Sequence, residues 1–188
     1  MYARALPVLA LVILVAGTGC VNDPANDSAG ATPTPVVRAE TALIAAEVLA
    51  AYVPPAPPGW QFLAPPSPVL LEEDGGTFVS VTASYISGSP NGTSGPVADL
   101  TIQDTGNRSV GLRRLVDRLA LPQADGTAPV PTTLRGQPAF VFTDGPIAGA
   151  YLVVADRYVV SLAITDGTRA DFDAFVAALD LEGLSEQR

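Results

Sequence analysis

Hydrophobic and polar residues alternate from Phe78 to Ile86, with Val79, Val81, Ala83 and Tyr85 set against Phe78, Ser80, Thr82, Ser84 and Ile86. A period of two with β-branched content predicts a strand. The loop SGSPNGTSG follows, with Asn91-Gly92 as its turn signal, and VADLTIQ (Val97–Gln103) returns as a second strand. The period then changes. Leu112, Leu115, Val116 and Leu119 recur at helical spacing between Val110 and Leu121; Asn107 or Ser109 can cap this helix, and Pro122 closes it. Further strands are predicted at Thr132–Arg135, Ala139–Thr143, Ala150–Ala155 and Tyr158–Ile164. Gly136 separates the first two, and Asp156-Arg157 reads as a tight hairpin between the last two. A closing helix begins at Thr168 with Asp171 three residues on, a variant capping box, and carries Phe172, Phe175, Val176 and Leu179 as its buried stripe.

Ahead of these strands, the alanine-rich stretch Arg38–Tyr52 places Ile44, Ala45, Val48, Leu49 and Tyr52 on one helical face, until Pro54 and Pro55 end it. PPAPPGW (Pro54–Trp60) reads as an extended connector that delivers the single tryptophan, and another proline-rich turn leads to Phe78. Trp60 can serve as a core plug at the entrance to the domain, the commoner role, or as a ligand contact. Strands paired by hairpins, interrupted by one helix and closed by another, predict an α+β domain: an antiparallel β-sheet of about five to six strands with helices packed on it.

The amino terminus follows another pattern. Met1–Arg4 holds one positive charge and no acid, LPVLALVILVA (Leu6–Ala16) is apolar throughout, and Gly17-Thr18-Gly19 leads into Cys20. This is the layout of a secretory signal peptide. A helix from Leu6 to Gly19 reaches roughly 21 Å, short of the ~30 Å hydrocarbon core of a bilayer. With the chain's only cysteine at its end, the segment resembles a prokaryotic lipoprotein signal. In that family the cysteine becomes the first mature residue and carries lipid, and Thr18 and Gly19 fit the two positions before it. Gly17 departs from the leucine usual at the third. The resemblance implies that Cys20 joins the protein to membrane lipid. Val21–Val36 (VNDPANDSAGATPTPV) lacks apolar periodicity and reads as a flexible tether. The expected organisation is a signal peptide over 1–19, a lipidated cysteine and tether over 20–36, and one extracytoplasmic domain over 37–188. Asn26, Asn91 and Asn107 each begin an N-x-Ser/Thr sequon, an acceptor for N-glycosylation where that machinery exists.

From Trp60 onward the order of elements is similar to the PsbP-type fold. The resemblance is carried by PPGW at Pro57–Trp60, the helix between strands, LRGQPAFVF at Leu134–Phe142, and the hairpin followed by FDAFVAALDL. It implies a fold shared by an extrinsic photosystem subunit and many small prokaryotic lipoproteins. It implies no common active site.

Charge and residue usage then narrow the chemistry. The chain carries −9 with no histidine, and its ten basic residues are all arginine. An acidic surface repels nucleic acid, so no nucleic-acid partner is expected. Without histidine there is no Ser-His or Cys-His nucleophile and no imidazole metal ligand. Without lysine there is no Schiff base or phosphate-loop lysine. Glu72, Glu73, Asp74, Asp104, Asp144, Asp156 and Asp166 leave paired carboxylates open in principle, although most adjoin glycines or turns. Arg113, Arg114 and Arg118 form the polar side of the middle helix, either an anion contact or a solvated face with Asp117 offsetting Arg113. No cofactor or metal site is expected. The sequence therefore leads to a membrane-anchored, non-enzymatic domain serving another envelope protein. A small-molecule or ion-binding lipoprotein with a pocket near Trp60 is the alternative, and a carboxylate hydrolase stands third.

Overall fold

The computed structural model describes residues 42–73, 76–88, 95–106 and 128–187. Among the described residues seven antiparallel strands form one sheet: β1 (Trp60–Glu73), β2 (Gly76–Ser87), β3 (Val97–Asp104), β4 (Val130–Leu134), β5 (Gln137–Asp144), β6 (Ile147–Val154) and β7 (Tyr158–Thr165). Their spatial order is β1-β2-β3-β7-β6-β5-β4. After β3 the chain restarts at the far edge as β4 and fills inward by hairpins until β7 pairs with β3. The described helices are α1 (Ala46–Ala50), α2 (Arg169–Ala178) and α3 (Leu181–Glu186). The class is α+β, as the alternation of periods predicts.

Seven strands stand where about five to six are expected, and the addition is β1. Pro65, Pro66 and Pro68 make residues 61–73 read as a turn, because proline cannot donate to a ladder. At an edge only one side of the strand is paired. The register also slips between Phe62 and Ala64 and between Ala64 and Ser67, leaving Pro65 and Pro66 without facing partners. Bulges thus let a proline-bearing segment run as a strand of 14 residues.

The first helix is shorter than its alanine content predicts. Propensity favours Arg38–Tyr52, of which 38–41 lie outside the described residues; over 42–52 α1 covers Ala46–Ala50, and Ala45 is extended (φ −62°, ψ 143°). The amide of Ile44 is held by Asp104 at 2.9 Å and the carbonyl of Ala42 by Arg157 at 2.9 Å, so tertiary bonds draw the chain out there. The expected cap of α2 is present in full. Thr168 Oγ1 accepts from the Asp171 amide, Asp171 accepts from the Thr168 amide, and Phe172, Phe175, Val176 and Leu179 are all buried. The chain bends after α2 and starts again as α3, where Asp180 accepts from the Gly183 amide at 2.9 Å.

The core lies on one face of the sheet. The register sets Val81 beside Ile102, Ile102 beside Val160 and Val160 beside Leu152, with Ala83, Leu100, Leu162 and Ala150 as the next row, all buried. Leu49, Phe175, Leu181 and Leu184 belong to the same cluster and bring α1, α2 and α3 into it. The opposite face is polar at its centre: Ser84 donates to Asp99 at 2.5 Å, and the hydroxyls of Thr82 and Thr101 lie 3.2 Å apart.

Gly149, in β6, marks a close approach. A Cβ there would stand 2.3 Å from Cζ of Phe142 and 2.6 Å from the carbonyl oxygen of Leu162. The ring can shift, but the backbone oxygen cannot without breaking the ladder. Gly149→Ala is expected to cost about 1–3 kcal/mol through overpacking, read as a lowered midpoint in chemical denaturation. An unchanged midpoint would refute this packing account.

Candidate functional site

The most polar cluster in the interior is built on the β6–β7 hairpin. Ala155 and Asp156 take left-handed backbone angles, φ 52° and 54°, and the amide of Arg157 donates to Val154 O at 3.1 Å. This tight turn agrees with the hairpin predicted at Asp156-Arg157. The direction of Arg157 does not follow from the sequence, since a turn arginine ordinarily points to water. Here Arg157 is 4% exposed and meets a fully buried Asp104. Its Nε donates to Oδ1 at 2.8 Å and its Nη2 to Oδ2 at 2.7 Å, a bidentate pair. The Gly106 amide adds a bond to Asp104 at 2.9 Å. The Arg157 carbonyl accepts from both the amide and the hydroxyl of Thr105.

Burial by itself would raise the Asp104 pKa. Hydrogen bonds from Arg157 and from the amides of Ile44 and Gly106, with the Arg157 charge, outweigh burial and hold the carboxyl below its ordinary value. The pair also reaches the incoming chain through Ala42 O and Ile44 N. Its evident chemistry is to fasten the start of the domain to β3 and the β6–β7 turn. Asp104, read from its neighbours as a turn residue, is one half of the interior ion pair.

Trp60 lies at the opposite end of β2 from Asp104. It is 9% exposed, meets Phe175 edge-on at 5.0 Å, and donates Nε1–H to Asp171 at 3.1 Å. Tyr85 meets the same Phe175 ring at 5.0 Å and donates to Pro54 O at 2.8 Å; burial pushes its phenol up to about 12. Indole, phenyl and phenol thus join the connector, β1, β2 and α2. Arg135, at the β4–β5 turn, donates Nη1–H to the carbonyls of Val176, Ala177 and Leu179 and closes the carboxyl end of α2.

Two surfaces remain open. Along β1, Phe62, Leu63, Val69 and Leu70 stand out from the surface, with Leu63 58% and Leu70 63% exposed. Helix α1 packs on β1 and β2 and exposes Val48. At the other edge a groove of about 450 Å³ is lined by Val130, Thr132, Leu134, Val141, Thr143 and Arg169. Arg169 is already engaged with Asp173 at 2.9 Å.

Of the candidate carboxylates, Asp156 and Asp166 occupy turn positions with left-handed φ of 54° and 57°, and Asp144 ends β5. Among the described residues no three acidic or cysteine side chains converge as a metal ion needs, and no helix is long and apolar enough to cross a membrane. Cys20, Asn26, Asn91, Asn107, the predicted middle helix and its Arg113, Arg114 and Arg118 lie outside the described residues. Comparison with protein-family models, curated proteins and solved structures finds no match.

Proposed function

We propose that the chain is an extracytoplasmic lipoprotein, anchored to a membrane by lipid on Cys20, whose PsbP-like domain binds another envelope protein without itself performing chemistry. The observation that carries this reading is the apolar edge strand. Phe62, Leu63, Val69 and Leu70 are exposed together on β1, while the interior charges Asp104 and Arg157 hold each other. Exposed apolar side chains gathered on one element mark a contact surface. The signal-like amino terminus and the tether are the sequence support for the anchor.

Cross-linking in the native membranes, followed by mild-detergent capture of the tagged chain, tests the reading beside a Cys20→Ser control. One reproducible partner that disappears with Cys20→Ser is the expected result. Turnover of a substrate by the purified chain, abolished by a carboxylate substitution, would overturn it. The groove between β4, β5 and α2 favours a second reading, a small-molecule-binding lipoprotein. Under that reading Thr132→Trp, which fills the groove, removes ligand binding while Leu70→Arg leaves it intact.

A further inference from the structure

We draw no further inference here: the strongest candidate, the exposed apolar edge of β1 at Leu63, Val69 and Leu70, belongs to the contact surface already described, and nothing among the described residues shows what covers it.

Discussion

Arg157→Ala should lower the unfolding free energy by about 3–5 kcal/mol, the usual cost of stranding one member of a buried ion pair. The magnitude follows from what is left behind. Asp104 is fully buried, and among the described residues only the amides of Ile44 and Gly106 would then face its charge. The substitution also releases the carbonyl of Ala42. Against a typical domain stability of about 5–15 kcal/mol, this is a large share. Urea denaturation of the variant measures it, and a loss below ~1 kcal/mol would show that the pair is not the fastening described here. Replacing both partners, Asp104→Leu with Arg157→Met, should recover much of the loss, because no unpaired charge remains.

The same pair gives an acid dependence whose sign is fixed. The folded pKa of Asp104 lies below its ordinary value. Its contribution is therefore fully present above the unfolded value, about 3.9, and is lost as pH falls through the folded one. Denaturation midpoints should fall from about pH 4 downward, and Asp104→Asn should flatten that decline while lowering stability at neutral pH. A decline equally steep in the Asn variant would assign the acid sensitivity to other carboxyls.

Phe175→Ala is expected to be nearly as damaging, at about 3–5 kcal/mol for removing a buried phenyl ring. Phe175 is 1% exposed and takes edge-on contacts from both Trp60 and Tyr85. Its loss opens a cavity where β1, β2 and α2 meet. The emission of Trp60, the only tryptophan, should shift to longer wavelength in the folded variant, as water reaches the ring. Phe62→Ala is the control. Phe62 also stacks on Tyr85, at 4.7 Å, but it faces solvent and should cost far less. Similar losses in the two variants would refute the placement of the core on the Phe175 side of Tyr85.

How far the sequence reveals this fold depends on which forces act locally. β2, β3, β6 and β7 are legible because one face is buried, so that in β2 Val79, Val81, Ala83 and Tyr85 alternate with their neighbours. The cap of α2 is legible because Thr168 and Asp171 satisfy it within four residues. β1 is hidden because its prolines are tolerable only at an edge, and the order of strands is a long-range property. Helix α1 is overestimated because bonds from Asp104 and Arg157 compete with alanine's propensity. Arg157 itself is hidden because nothing local turns a hairpin arginine inward. The exposed edge is equally silent: Leu63 and Leu70 read as ordinary apolar residues until strand order shows that no described strand covers them.

The fastening of residues 42–44 has a mechanical meaning. A pull on the chain ahead of Ala42 meets Arg157 and Asp104 before it reaches any strand edge. Those residues belong to the β6–β7 turn and to β3, at the middle of the sheet, where each strand has neighbours on both sides. Tension is thereby shared across the most heavily bonded part of the domain, and β1 is spared from being unzipped. The outer strand can then keep its shape while the chain ahead of Ala42 is under load.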